Sequence, residues 1–249
     1  MSHTAIESKG FIFAHRILGD GSGASLGWKQ LMDEWESAGM IWVHLNYEDP
    51  KAQEWLMNQS GVDDSLVSYL VADETRPGIF THGQSLLMIM RGINLNERED
   101  PEDLVSIRFY LARNQLITLR KRKVYALEEI SNGLQSGKGI QSESQFIHEV
   151  LARVVAQIGA HAFTLDRRVA DLERQLVDDS DEDIHIALQA TQNELIELRR
   201  FLNPQRAMLM ELMGVELDWL DVATMHRLRT QVELHTRFVE DLDYCWQRT

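Results

Sequence analysis

The sequence contains a single cysteine, Cys245, among its 249 residues. One cysteine excludes an internal disulfide and a cysteine-rich zinc module, which favours a reducing compartment. Long apolar runs are also lacking, since the most apolar stretch, residues 86–90, is far too short to span a bilayer. Residues 1–10 lack the basic and apolar regions of a signal peptide. We therefore expect this chain, as it stands, to be soluble.

Positive charge is scarce. The chain has 39 acidic and 25 basic residues, a net charge of −14, which repels nucleic acid and attracts cations. The one basic run, residues 120–123, is predicted at the end of a strand. We interpret it as a solvated sheet edge protected by charge rather than as a nucleic-acid patch. No nucleic-acid partner is expected.

Catalytic motifs are missing as well. The glycine-rich loop at residues 19–23 lacks the GxGxxG spacing of a dinucleotide site, and it is predicted to be a surface turn. None of the nine histidines stands in a metalloprotease, nucleophile-elbow or kinase-type motif. A metal-dependent enzyme would need a cluster of ligands in the first part of the chain, and the sequence offers none. We expect neither an enzyme nor a required cofactor.

Residues 1–139 are predicted to form an N-terminal α/β/α domain with a mixed sheet. Strands are expected at 11–18, 40–45 and 85–94, with a hairpin at 104–111 and 114–120. Helices are expected at 51–58, opened by Asp49 and Pro50, and after Asp63. Residues 136–139 have linker composition, so we place a domain boundary there.

Residues 140–249 are predicted to form three long helices, which makes the fold class α+β. Ser142 and Gln145 have the spacing of a capping box at the first helix. Pro204 is expected to kink or restart the second helix, with Asn203 as a possible cap. The third helix is expected from about Asp218.

The third helix carries an apolar stripe whose steps alternate three and four residues, as in a coiled coil. Its members are Met225, Leu228, Val232, His235, Val239, Leu242 and Trp246. No glycine, proline or cap residue closes this pattern, so we expect the helix to continue beyond Thr249 in a longer natural protein. Helices of this length also predict that part of the stripe is buried against another copy of the chain.

Three residues are candidate metal ligands. Asp181 and His185 are four residues apart on one helix face, a spacing that suits two ligands of one ion or, more simply, a helix-stabilising pair. His235 lies on the stripe of the third helix. It is predicted to be a core residue with a hydrogen-bond partner, or alternatively a member of a ring of imidazoles around an oligomer axis.

Six segments resemble those of a known family in the same order. They are IWVHLNYEDPKAQEWL (41–56), DETRPG (73–78), LLMIMRGINLN (86–96), DPEDLVSIRFYL (100–111), LRRFLNPQRAML (198–209) and RFVEDLDY (237–244). Together they resemble the cytoplasmic part of zinc-transporting members of the CorA-like family of divalent-cation transporters. The resemblance covers nearly the whole chain.

The resemblance implies a homopentameric transporter of the bacterial inner membrane, with zinc or another divalent cation as substrate. The α/β/α domain and the long helices would form a cytoplasmic funnel whose last helix leads into the first of two transmembrane helices. This sequence contains neither transmembrane helix and no Gly-x-Asn signature, so the pore residues of the family cannot be placed on it.

We further expect the third helix to line the inside of a ring of subunits. Its acidic residues Glu233, Glu240, Asp241 and Asp243 would draw cations towards the axis. The alternative is a soluble coiled-coil interaction module, or a metal-sensing regulatory module, without a transport role.

Overall fold

The computed structural model describes residues 10–37, 39–178 and 182–249. The strands are β1 (Phe11–Ile17), β2 (Gly23–Leu26), β3 (Met40–Asn46), β4 (Gly78–His82), β5 (Ser85–Gly92), β6 (Val105–Ala112) and β7 (Gln115–Arg120). The helices are α1 (Trp28–Glu34), α2 (Pro50–Asn58), α3 (Asp64–Val71), α4 (Tyr125–Gln135), α5 (Glu143–Asp178), α6 (Glu182–Leu212) and α7 (Val222–Arg248).

The seven strands form one mixed sheet in the order β2-β1-β3-β7-β6-β5-β4. Only β3 and β7 are parallel, with Trp42 opposite Leu116, while the other neighbours are antiparallel. Every residue of β3 from Met40 to Leu45 is buried. Successive side chains of a strand point to opposite faces, so β3 contributes to a core on each side of the sheet.

Helices cover both faces of the sheet. On one face α1, α2 and α3 contribute side chains such as Leu31, Trp55 and Val67 to a core with alternate residues of β3. On the other face α4 and the long helices share a second core with Trp42 and Phe109. The α+β fold with an α/β/α arrangement and three long helices is therefore confirmed. The boundary near 136–139 stays a prediction, although the second core runs without a break from the sheet into the long helices.

Local sequence signals explain the helix starts. Asp49 accepts hydrogen bonds from the backbone of Lys51 (2.9 Å) and Ala52 (3.4 Å) at the start of α2, with Pro50 in the first position. At α5 the backbone N–H of Gln145 donates to Ser142 Oγ at 3.1 Å. The side chain of Gln145 reaches back to the N–H of Gln141 instead of that of Ser142, so the capping box is shifted by one residue.

Three expectations need correction. The basic run at 120–123 does not mark a sheet edge, because β7 lies between β3 and β6. Its side chains instead pair with carboxylates, as in Lys121 with Glu48 at 2.6 Å. Helix α6 continues through Pro204, so the helix does not restart there and Asn203 is not a cap. The third helix begins at Val222 rather than near Asp218, because residues 217–220 form a turn and Asp221 is the N-cap.

Candidate functional site

The apolar stripe of α7 is already covered within a single chain. Five of its members are buried against α5 and α6, namely Leu228, Val232, His235, Val239 and Leu242, and Met225 is partly buried. Trp246, at the end of the stripe, keeps 36% of its surface exposed. The face of α7 that is left open is therefore the opposite one, which carries Glu233, Leu234, Glu240, Asp241 and Tyr244.

His235 is a core residue of this bundle, with 0% exposure. Gln205 Nε2 donates to His235 Nε2 at 3.2 Å. An amide nitrogen can only donate, so His235 Nε2 accepts and the ring is neutral with its proton on Nδ1. Burial, together with the positive charge of Arg206, lowers the pKa of His235 to about 4. The core interpretation of His235 is confirmed, and its Nε2 lone pair is occupied.

Of the other two candidate ligands, only His185 belongs to a described part of the chain, and it lies far from His235 along the bundle. Asp181 falls outside the described residues, and His185 is an exposed residue in the first turn of α6. Twenty residues of helix separate His185 from Gln205, the partner of His235, which corresponds to roughly 30 Å. Within one chain, His185 and His235 therefore cannot bind the same ion.

A charged cluster joins α5 to α6 at Glu194. The Glu194 carboxylate is only 8% exposed and accepts a hydrogen bond from His161 Nε2 at 2.8 Å and another from Arg168. Burial alone would raise the pKa of this carboxyl. The hydrogen bond from His161 and the charge of Arg168 outweigh that effect, so the pKa of Glu194 lies below its ordinary value.

Ion pairs connect the end of α7 to α5 and α6. Arg248 bonds both Asp166 (2.8 Å) and Glu173 (2.5 Å) on α5. Arg199 on α6 pairs with Asp243 at 2.5 Å. Of the four acidic residues expected to draw cations, Asp243 is thus neutralised by a partner. Glu233, Glu240 and Asp241 are exposed.

Cys245 is not available as a soft metal ligand in the folded chain. Its side chain is 1% exposed, and burial and the nearby Asp166 raise its pKa to about 11. A thiol binds metal as the thiolate, which is scarce at neutral pH when the pKa is this high.

The described part of the chain contains no group of three or more His, Cys, Asp or Glu side chains placed to hold a metal ion. A stable zinc site needs three or four such ligands. What the bundle offers to cations is a set of separate exposed carboxylates, whose attraction is long-ranged and screened by salt.

Sequence reasoning missed the polar residues that organise the bundle. Thr191, Glu194 and Gln205 are buried on α6 in register with Leu195, Leu198 and Leu202. A polar side chain at a stripe position is the signal that would have found them, since such a residue needs a partner on the facing helix.

No helix in the described ranges is both long enough and apolar enough to cross a membrane.

Comparison with known proteins assigns the class of the chain. The family model described as "CorA-like Mg2+ transporter protein" matches residues 37–249. The chain belongs to this family. Its curated relatives include the zinc transport protein ZntB of Photorhabdus laumondii subsp. laumondii, which is 29% identical over 209 residues and aligns 84% of this chain with 64% of its own length. ZntB of Yersinia pestis is 28% identical over 246 residues, covering 98% of this chain and 74% of the relative.

Solved structures agree with this assignment. Full-length CmaX superposes with a TM-score of 0.89 and 25% identity, covering 98% of this chain and 76% of CmaX. The ZntB cytoplasmic domain from Vibrio parahaemolyticus gives a TM-score of 0.82 at 24% identity, covering 96% of this chain and 93% of that domain. The resemblance inferred from the six sequence segments is therefore confirmed. The chain spans only 64% and 63% of the length of two ZntB relatives.

Proposed function

We propose that this chain is the cytoplasmic domain of a homopentameric zinc, or more broadly divalent-cation, transporter in the bacterial inner membrane. The observation that carries the proposal is the likeness of nearly the whole fold to the ZntB cytoplasmic domain. In this proposal the domain carries no catalytic activity. It forms an acidic funnel that leads cations to or from a pore outside this chain.

The open face of α7 supports a contact between copies. Tyr244 is 61% exposed, and Phe163 on the adjacent helix α5 is 63% exposed. Between them lies a groove of about 390 Å³, lined also by Phe238, Arg237 and Asp241. Exposed aromatic side chains beside charged ones are typical of the core and rim of a protein interface. We assign the part of this surface around Phe163, Phe238 and Tyr244 to the contact with a neighbouring subunit, and the part of α7 that carries Glu233 and Glu240 to the axis of the ring.

The charge of the chain supports the role of the funnel. Each copy has a net charge of −14, and a ring of copies brings these charges together around one axis. Glu233, Glu240 and Asp241 stand on the open face of α7 without burial. A concave acidic surface raises the local concentration of divalent cations even without coordinating ligands.

Specific metal ligands in this domain remain a separate proposal. Asp181 and His185 are the candidates at the start of α6, where another copy would have to supply further ligands. His235 would first have to give up its bond with Gln205. We therefore propose that zinc associates with this domain mainly through its electrostatic field.

Disulfide crosslinking tests the assembly. The native Cys245 is buried, so single cysteines introduced by Glu233→Cys, Arg237→Cys or Glu240→Cys would be the exposed thiols to probe. We expect these variants to form crosslinked dimers at high protein concentration. The matched control is Lys51→Cys on the exposed side of α2, which should stay monomeric. If no position between 230 and 246 crosslinks copies under any concentration tested, the proposed ring is wrong.

A further inference from the structure

A second cavity lies away from the face assigned to subunit contacts. It has a volume of about 380 Å³ and opens between the loop after α3, the end of β5 and the middle of α6. Its wall contains three arginines, namely Arg76, Arg91 and Arg200, and the ring of Phe201. Such a concentration of positive charge is unexpected in a chain with a net charge of −14.

Arg91 is the innermost of these arginines. Its Nη2 donates to the carbonyl oxygen of Thr75 and to Thr75 Oγ1, the latter at 3.3 Å. Its Nε is buried and has no hydrogen-bond partner. No carboxylate in the described part of the chain lies within 4 Å of its guanidinium. A partly buried cation without a carboxylate partner has lost some of its hydration, and an anion that binds beside it compensates for this loss.

Arg91 and Arg200 converge on one aromatic ring. Their Cζ atoms lie 5.0 Å and 5.3 Å from the centroid of Phe201. Arg200 has a single carboxylate partner among the described residues, Glu197 at 3.6 Å, and both side chains of that pair are largely exposed. An exposed pair of this kind contributes little, so Arg200 is free to exchange it for another anion.

A fourth arginine adds positive charge behind the cavity wall. Arg108, on the neighbouring strand β6, is 0% exposed and donates from Nη1 to the Leu70 carbonyl at 2.7 Å. Its Nη2 is buried without a partner. Burial and the charge of Arg108 together lower the pKa of Arg91 to about 10. Arg91 nevertheless stays protonated at neutral pH, so the cavity keeps its positive charge.

We propose that this cavity binds the phosphate group of a small molecule, with Arg91 and Arg200 as the groups that hold it. The planar guanidinium matches the oxygens of a phosphate and can donate two hydrogen bonds to it. The volume is within the range of small-molecule sites. The proposed transport function uses neither this cavity nor an anion. The phosphate site and the transport function can therefore be tested, and can fail, independently.

Asp73 and Glu74 also line the cavity and are exposed. Their negative charge opposes an anion. A phosphate site therefore predicts effects of opposite sign: removing an arginine weakens binding, whereas neutralising Glu74 strengthens it. If phosphate responded only to the net charge of the chain, a substitution in the cavity and one far from it would change phosphate binding equally.

Calorimetry with inorganic phosphate on the chain tests the proposal. Ionic strength is held constant with sodium chloride. We expect saturable binding of one phosphate per chain, weakened at least tenfold by Arg200→Gln and by Arg91→Lys, and tightened by Glu74→Gln. Arg174→Gln is the matched control, since Arg174 is a 76% exposed arginine on α5. This variant should bind phosphate as the unchanged chain does.

A parallel titration with adenosine monophosphate distinguishes two sources of the phosphate. Tighter binding than that of inorganic phosphate would identify a phosphate ester, and weaker binding would identify the free ion. Arg200 is exposed, so Arg200→Gln should fold even if Arg91→Lys does not. The proposal would be overturned if a titration with sodium chloride alone gave the same heat as the titration with phosphate. It would also be overturned if Arg200→Gln left phosphate binding unchanged.

Discussion

Gln205 and His235 are joined by a hydrogen bond from Nε2 to Nε2 of 3.2 Å across the interface between α6 and α7. The same amide accepts from the backbone N–H of Arg91 (2.6 Å) and donates to its carbonyl oxygen (3.1 Å). The pairing of β5 with β4 stops at Ile89. Gln205 thus provides hydrogen-bond partners for the backbone groups of β5 beyond that point. One side chain connects the sheet to two of the long helices.

Removing this amide should destabilise the fold strongly. Gln205→Leu leaves the backbone of Arg91 and the ring of His235 without partners, and each unsatisfied buried group costs about 1–3 kcal/mol. We expect the free energy of unfolding, measured by urea denaturation, to fall by about 3 kcal/mol. The matched control is Gln189→Leu at an exposed position of α6, which should change stability by less than about 0.5 kcal/mol. Equal effects of the two substitutions would contradict the role of Gln205.

The buried histidines predict that acid destabilises the protein. The pKa of His235 is lowered to about 4 and that of His44 to about 3, in both cases mainly by burial. The unfolded chain has the ordinary value near 6.5. Above pH 6.5 neither state is protonated, and below it the unfolded state takes up protons first. Stability should therefore fall as the pH drops from 6.5 towards 4.

At pH 5 each of these histidines should reduce stability by about 2 kcal/mol relative to pH 7. His235→Gln keeps a hydrogen-bond acceptor opposite Gln205 but cannot be protonated in this range. We expect urea denaturation of this variant to show a smaller loss between pH 7 and pH 5 than the unchanged chain shows. An identical loss in both would mean that His235 does not titrate as we infer.

The Glu194 cluster gives a third prediction. Glu194→Ala removes the carboxylate that pairs with both His161 and Arg168. Breaking a buried pair by removing one partner costs about 3 kcal/mol or more. Since Arg168 is 45% exposed, we expect a smaller loss of about 2 kcal/mol in thermal or urea unfolding. Glu197→Ala, three residues further along α6 and exposed, is the control and should be nearly neutral. A neutral Glu194→Ala would show that solvent already screens the cluster.

The strongly patterned elements could be predicted from the sequence. The long buried strand β5, the hairpin of β6 and β7, and the starts of α2 and α3 follow from apolar runs and from the caps Asp49 and Asp63. The elements that were missed are β2, α1, β4 and α4. Strands β2 and β4 have four and five residues, too few for a period to be read. Both are edge strands, and each forms by pairing with its neighbour in the sequence, β1 or β5.

Pro204 shows why tertiary context overrides a local rule. Proline removes one hydrogen bond from a helix and is costly in its interior. In α6 the proline stands between the buried residues Leu198 and Leu202 on one side and Gln205, Met208 and Leu209 on the other, and their packing holds the helix on both sides of it. Likewise, the identity of His235 as a core residue could be predicted from its stripe position. Its partner Gln205 could not, because nothing in the sequence gives the register of α6 against α7.

Zinc binding to the chain alone should be weak, multiple and sensitive to salt. Exposed carboxylates attract cations through a field that is screened over about 8 Å at physiological ionic strength. A tailored site would resist salt because its ligands contact the ion directly. Calorimetry at low and high sodium chloride decides between them. One tight, salt-insensitive site per chain, abolished by His185→Ala or by His235→Ala, would contradict this prediction.

The proposed function makes this chain one domain of a longer transporter, and transport by that protein tests the central claim most directly. The protein would be reconstituted in liposomes that enclose a zinc-sensitive dye. We predict zinc flux across the membrane, and a slower flux when Glu233, Glu240 and Asp241 are replaced together by their amides, with the loss largest at low salt. If the inserted protein moved neither zinc nor another divalent cation, the assignment to transport would be contradicted. If the triple variant transported at the original rate at every salt concentration, the acidic funnel would be contradicted.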